Sequence, residues 1–427
     1  MHVLISGAGI SGLSAALSLT KFVSPAPQIT IIETRSGPST IGGAINLTPK
    51  CQRYLHHLGV HQKLVAGGYG ADVRKFDFLA SESGLIGSLD TSNGGKGFGS
   101  KALVYNEGPR FNCRRMLRSD LIRCLVERVG ECENVTVKYG LRLDEVKDGK
   151  AGLRVSLSDA SRLNVDLLLG CDGVHSTTRC KFVDPDRKAI WNKCAVALGF
   201  VRLTTGERER LPFQDTCLVF SQRGSFFSSF FDQERESVFI GALLGKQNED
   251  LSQKDWIEEG EKHDVGRRIG DVFQDTHLTF IKDFVSRAGS DWSLYPVYTL
   301  PPEGRWTVES GRIVLLGDAA HAMPPQGESS GYAIEDTIVY ARLLADAVNG
   351  ASGDSVTLAE VGRKYEAVRR PRINAAYAEA QRRWSGTNTE WWLLYKLKIW
   401  ILPIMMRFLA GRIQADWSED LTVGELK

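Results

Sequence analysis

His2-Val-Leu-Ile-Ser6-Gly7-Ala-Gly9-Ile-Ser-Gly12 is a short apolar run, then three spaced glycines, leading into an Ala/Leu-rich segment that ends near Leu19. The apolar run reads as a buried strand and the following segment as a helix. The glycines have separate tasks: Gly7 the tight turn, Gly9 close backbone approach to a pyrophosphate, Gly12 close packing of helix on strand. A second strand, Gln28-Ile-Thr-Ile-Ile32, ends in Glu33. An acid about 20 residues past the glycines suits the ribose hydroxyls of an adenosine and disfavours a 2′-phosphate. The glycine pattern alone says little. With strand, helix, strand and acid in register it predicts a βαβ unit that binds a dinucleotide.

Two distant segments repeat the theme of an Asp at a strand end. Val165-Asp-Leu-Leu-Leu-Gly170 runs into Cys171-Asp172-Gly173-Val-His-Ser176, where Ser176 is available as a helix cap. Arg312-Ile-Val-Leu-Leu316 runs into Gly317-Asp318-Ala-Ala-His321-Ala-Met-Pro-Pro325, and Gly327-Glu-Ser-Ser-Gly331 then opens a long helix. Asp318 can accept hydrogen bonds from a ribitol hydroxyl. The Gly/Ser-rich helix start offers free N–H groups and a positive dipole end to a group that carries negative charge. A flavin needs both. An ordinary strand–loop–helix connection explains either segment singly, but not the ordered set.

In that order and at about that spacing, the three motifs resemble those of the single-component flavoprotein monooxygenases of the para-hydroxybenzoate and salicylate hydroxylase type, with the fungal natural-product branch most similar. Ile41-Gly-Gly43-Ala44-Ile45 resembles the flavin-contacting loop of that family. Arg118-Ser-Asp-Leu121 resembles its Arg-x-x-Leu helix start, whose Arg approaches the cofactor, and Tyr365-Glu-Ala-Val-Arg-Arg-Pro-Arg372 its C-terminal Tyr/Arg helix. The resemblance implies an α/β fold: a Rossmann-like FAD-binding domain of the GR2 type, an inserted antiparallel β-sheet substrate domain, and C-terminal helices. The implied division is 1–182 and 301–350 for the two parts of the FAD-binding domain, 183–300 for the substrate domain, and 351–427 for the helical region. It implies cofactor contacts at Gly7, Gly9, Gly12, Glu33, Gly43, Ala44, Arg118, Asp172, Asp318 and Gly331. Where the family often has a Gly-Gln-Gly turn, this chain has Gly327-Glu-Ser-Ser-Gly331, which sets Glu328 near the flavin unless it points outward.

Between residues 185 and 300 the texture changes to alternating segments of strand type, among them Cys194–Leu203, Thr216–Phe220 and Ser237–Leu244. Phe226, Phe227, Phe230 and Phe231 are pocket walls or plain sheet core. Arg202, a lone cation in Phe200-Val-Arg-Leu203, is the catalytic candidate, at the place where relatives set a cation over the flavin. A solvent-facing Arg on the outer side of the same strand is the competing reading, because alternation sends neighbouring side chains to opposite faces. A Tyr to orient a phenolate is missing around Phe226–Phe231. Gly/Ser-rich 81–100 reads as a surface loop.

The rest of the composition mainly excludes. A chain of 427 residues exceeds one simple core. A net charge of +2 gives no reason to expect nucleic acid. The eight cysteines are scattered singly, as in a reducing compartment. His56, His57 and His61 lack a carboxylate partner, so no metal site is expected and a solvated helix end is. The N-terminus enters its first strand at once, so neither signal nor transit peptide is expected and the location is cytoplasmic. Trp391–Ala410 is nearly long enough to span a bilayer, but Lys396, Lys398, Pro403 and Arg407 interrupt it. Two short packed helices, docked on the protein or at a dimer interface, account for this; peripheral membrane contact through 391–413 is the alternative.

The function implied is an FAD-dependent, NAD(P)H-driven monooxygenase. It hydroxylates or epoxidises an aromatic or indolic small molecule of secondary metabolism with O2, through a hydroperoxide at flavin C4a. Only one dinucleotide fingerprint is present, which fits a nicotinamide that visits transiently. An FAD-dependent oxidase or dehydrogenase fed by its organic substrate is the alternative. A flavin-dependent halogenase lacks its Lys here, and a non-catalytic flavin module would not need the full motif set.

Overall fold

The structure, a computed structural model, describes residues 1–39, 42–91, 111–245, 265–289, 291–325, 327–349, 357–385 and 391–426. Ile41 and residues 92–100 of the Gly/Ser-rich segment lie outside that set.

His2–Ser6 and Gln28–Glu33 form parallel neighbours with the helix Ile10–Phe22 between them. The sheet they belong to has five strands in the order Ile313–Leu315, Leu167–Gly170, His2–Ser6, Gln28–Glu33, Val135–Tyr139, all parallel. Four of its strands bury consecutive residues, as expected for a sheet covered on both faces, while the edge strand Val135–Tyr139 alternates. All three motif loops therefore leave the C-terminal edge of adjacent strands, where ligands bind in open parallel sheets. The helices Ser329–Asn349 and Leu358–Ser385 share this core: Ile334, Ile338, Val361 and Tyr365 pack with Val3, Leu4 and Leu168. The C-terminal helical region is thus partly a wall of the nucleotide-binding unit, and the division at residue 350 runs through a common core.

A second core lies under a seven-stranded sheet in the order Ser293–Thr299, Ile190–Arg202, Ser237–Gly245, Gly224–Phe230, Thr216–Ser221, Lys75–Ala80, Gly84–Asp90. The expected strands 194–203, 216–220 and 237–244 are all there, with slightly different ends. Two features depart from the sequence reading. The sheet takes two strands from residues 75–90, far before position 183, and one of them turns much of the expected 81–100 loop into sheet edge. Thr216–Ser221 also pairs parallel with Lys75–Ala80, so the sheet is not wholly antiparallel. Alternation in Lys75–Ala80 is weak from sequence; what fixes it is burial of Leu79 on one face and Phe76 and Phe78 on the other.

The last long element is a single helix, Trp392–Ser418, that runs through Pro403. The expected two short helices do not form. Proline removes one N–H bond, at a cost of about 3 kcal/mol in a helix interior, and buried Tyr395, Met406 and Trp417 hold the helix on both sides of it. No helix among the described residues is long and apolar enough to cross a membrane.

Candidate functional site

At the glycine turn, crowding explains two of the three glycines and leaves the third to a ligand. Gly7 has φ +105°, and a Cβ there would lie 2.5 Å from the Cys171 carbonyl oxygen. A Cβ on Gly12 would lie 1.9 Å from the Gly7 oxygen. On Gly9 it would meet nothing within 4 Å, so the space beside Gly9 is free for what the loop binds. Glu33 closes the turn: Ala8 N–H donates to its Oε2 at 2.9 Å and Arg35 N–H to its Oε1 at 3.0 Å.

The two aspartate motifs do different work. Asp172 accepts from the Ser176 hydroxyl, and from Thr178 N–H and Oγ1–H at 2.9 Å each. These bonds tie its carboxylate to its own loop. Ser176 in turn caps the next turn, accepting from Arg179 N–H at 2.9 Å. Asp318 is exposed between the buried Gly317 and Ala319, and no hydrogen bond reaches its carboxylate among the described residues. The surrounding walls still crowd it enough to raise its pKa, against the pull of His321 and Arg118.

Arg118 starts its helix beside the loop: its N–H donates to Gly43 O at 3.1 Å and its Nη1 to Ser39 at 3.4 Å. Burial lowers its pKa, while Asp318 and Glu33 both oppose the shift. One guanidinium therefore senses both acids at the two ends of the groove. Gly331 is not forced by crowding, since a Cβ there would sit 3.7 Å from that of Cys51.

Sequence reasoning missed the buried ionic cluster behind the loop. Asp336 accepts from Gly317 N–H at 2.8 Å and from Arg369 Nε at 2.7 Å, and pairs with His321 Nε2 at 2.6 Å. Glu335 takes Arg369 Nη1 at 2.8 Å and Arg372 Nε at 2.7 Å, with Lys50 at 3.2 Å. Burial alone would raise the Asp336 carboxyl; His321 and Arg369 outweigh it and hold it at about 2. The cluster ties the Asp318 loop, the helix Ser329–Asn349 and the helix Leu358–Ser385 into one unit. Its sequence signals were a pair of acids inside an apolar helix and the Tyr365–Arg372 segment, with nothing to join the two.

The face of the seven-stranded sheet away from its core roofs the groove. A Cβ on Gly43 would lie 2.7 Å from both Leu198 Cδ1 and Phe239 Cε2. Phe227 packs on Phe239 and Phe76, and Phe231 on Phe200. Phe226 and Phe230 point the other way, into the second core against Phe273 and Phe213. Arg202 is exposed at the last position of its strand, while Val201 and Leu203 are buried. It lies four residues beyond Leu198, roughly 13 Å along the strand. A second cation, Arg115, was not singled out from sequence. It is 5 % exposed on the strand Cys113–Leu117, with its guanidinium carbon 4.7 Å from the Phe227 ring centre.

His57 stacks on Phe22 and His61 packs against Phe111, so these imidazoles are half-buried ring partners rather than a solvated end.

The free space at Gly9, the unengaged Asp318 carboxylate and the covered edge at Gly43 fit an extended dinucleotide. The family described as "FAD binding domain" matches residues 1–380. The chain belongs to this family. Among curated relatives, salicylate hydroxylase of Pseudomonas putida is 24% identical over 443 residues, covering 99% of this chain and 93% of the relative. Phenazine 1,6-dicarboxylic acid hydroxylase PhzS of Lysobacter antibioticus is 27% identical over 393 residues, with 87% of each chain covered. In fold the chain is similar to Klebsiella pneumoniae HpxO in complex with FAD and uric acid, with a TM-score of 0.76, 19% identity, and coverage of 100% of this chain and 98% of that one. It is an FAD-dependent monooxygenase, an oxidoreductase whose cofactor is FAD and whose electrons come from NAD(P)H.

Proposed function

We propose that this chain inserts one oxygen atom of O2 into an aromatic or indolic small molecule held between the aromatic sheet face and FAD. In sum, substrate, O2, NAD(P)H and a proton give oxygenated product, water and NAD(P)+. The observation that carries this reading is the contact of Leu198 and Phe239 with Gly43, which sets an apolar, aromatic-lined roof directly over the cofactor loop. Bound flavin supplies hydride acceptance and O2 activation. The chain's own residues bind, orient and exclude water. Glu33 receives the adenosine ribose, Gly9 gives the pyrophosphate its approach, and Asp318 takes a ribityl hydroxyl. Arg118 spans the two acids and balances their charge beside the phosphates. The helix start at Gly327–Gly331 stabilises negative charge on the flavin's N1–C2=O edge. Asp172 acts on the cofactor only by shaping its loop.

NADPH-linked oxygen consumption across phenols, indoles and prenylated scaffolds, with 18O2 and mass spectrometry of the product, tests this. One labelled oxygen in product is expected. Bleaching of the bound flavin by an organic substrate alone, without NADPH, would replace this reading with the oxidase or dehydrogenase alternative.

Trp391, Trp392, Leu393, Leu394, Leu397, Trp400, Ile404 and Met405 are between 48% and 72% exposed. Tyr395 is buried with its hydroxyl donating to Phe220 O at 3.2 Å, and Lys396 pairs with Glu82. The helix therefore docks by one face and presents the other. An exposed apolar face of this extent supports a contact in the cytoplasm with a lipid surface or a second copy of the chain. Flotation with phosphatidylserine-containing vesicles and sedimentation velocity separate the two; a monomer that does not float removes both.

A further inference from the structure

The last helix, Trp392–Ser418, is held at its two ends by different parts of the molecule. Near its start, Tyr395 donates to the Phe220 carbonyl at 3.2 Å and Lys396 pairs with Glu82, beside one edge of the seven-stranded sheet. At its far end Asp416 pairs with Arg372 at 2.6 Å, and Glu419, just beyond the helix, with Lys50 at 2.6 Å. These ties fix the roll of the helix, so its outward face is a property of the fold. At about 100° per residue, Leu393, Leu397, Trp400 and Ile404 fall on one stripe, opposite Tyr395 and Met406. The four are between 48% and 72% exposed, whereas Tyr395 and Met406 are buried. A helix docked on a protein ordinarily turns its apolar stripe inward and a polar face outward. This one is apolar on both sides.

Charge decides between the two occupants that such a face admits. From Trp391 to Ala415 the sequence has four basic residues, Lys396, Lys398, Arg407 and Arg412, and no acid. The acids begin at Asp416, where Asp416 and Glu419 are taken up in ion pairs with Arg372 and Lys50. Two copies paired through this face would bring together two segments of like charge. An anionic lipid surface opposes that charge instead. The residue types agree with lipid: Trp favours the depth at which a bilayer meets water, and Lys stems reach from apolar surface to headgroups. We infer that residues 391–405 form a docking face for an anionic lipid surface, with Trp400 seated at the level of the headgroups. No helix among the described residues is long and apolar enough to cross a membrane, so the inference is of a helix lying in the surface. The face adjoins the outer end of the aromatic roof. Lys398 lies over the Phe220 ring, and neighbouring rings lead from Phe220 through Phe78 and Phe76 to Phe227. Docking therefore sets the lipid beside that end of the sheet. The inference rests on the reading of this helix as a contact surface, and commits it to one partner.

The test uses full-length protein with FAD bound, vesicles of phosphatidylcholine alone or mixed with phosphatidylserine at about 3:1, and sedimentation velocity without lipid. Partition onto the mixed vesicles, read by flotation, should exceed that onto phosphatidylcholine by at least ~10-fold and fall as salt is raised. Leu397→Glu/Trp400→Glu should lower it at least ~10-fold with FAD content unchanged. Trp400→Ala, a milder change at the same exposed position, should lower it severalfold and still decides should the double variant misfold. A dimer that Leu397→Glu/Trp400→Glu converts to monomer overturns the inference and leaves a contact surface for a second copy. Equal flotation with and without phosphatidylserine overturns it as well, leaving a lipid contact that charge does not choose. Flotation unchanged in both variants overturns it by placing the lipid contact elsewhere. A monomer that floats with neither vesicle overturns the inference together with the reading beneath it.

Discussion

Asp318 and Glu33 are both acids at strand ends, yet they differ in what they hold without cofactor. Glu33 already accepts two backbone N–H groups, whereas Asp318 accepts none among the described residues. Asp318→Ala should therefore weaken FAD binding by about 1–3 kcal/mol while leaving the apoprotein's urea midpoint unchanged. Glu33→Ala should weaken binding and also lower the midpoint, because the Ala8 and Arg35 amides lose their acceptor. Equilibrium dialysis with FAD and urea titration read the two effects; a matching loss of apoprotein stability in both variants would contradict the distinction. Arg202 belongs at this scale too. Its charge faces water, where high dielectric and salt weaken its field, so Arg202→Gln should leave turnover within about twofold. A loss of ~10²-fold, the effect expected of a transition-state contact, would return the catalytic role to Arg202.

At the scale of elements, the three motif loops depend on ionic ties between helices. Arg369 bridges two carboxylates of the helix Ser329–Asn349, and Asp336 holds the Gly317 amide. Removing one partner leaves a buried charge unpaired, so Arg369→Met should destabilise by about 3–5 kcal/mol, measured by chemical denaturation. The sign of the pH effect follows from Asp336. Its pKa of about 2 lies below the ordinary value of 3.8, so its contribution is full above pH 4 and is lost as pH falls from about 4 through about 2. The slope of stability against pH in that window should flatten in Arg369→Met. These ties were illegible in sequence, because Glu335-Asp336 reads as surface charge on a helix until the packing of Leu358–Ser385 brings Arg369 and Arg372 to it. The intra-loop partners of Asp172 were illegible for the same reason: they depend on where Thr178 turns back.

For the whole molecule, the decisive contact is between the two cores at Gly43. Gly43→Ala would force Leu198 and Phe239 away from the cofactor loop. Overpacking of this kind costs about 1–3 kcal/mol, so the variant should lose stability to about that extent and uncouple NADPH oxidation from product formation as water enters under the roof. Equal ratios of NADPH consumed to product formed in the two proteins would remove this role. The sequence by itself determined the βαβ unit, the order of the three cofactor loops, the family and most of the second sheet. Those features rest on local rules: apolar periodicity, glycine's conformational freedom and acids at strand ends, each readable within a dozen residues. Only the tertiary structure decided that residues 75–90 join the second sheet, that Phe227 faces the groove while Phe226 faces the core, and that Arg115 rather than Arg202 is buried beside the aromatic roof. Such choices depend on which surfaces meet across long stretches of chain. A side chain's burial and charge environment exist only once those surfaces are packed.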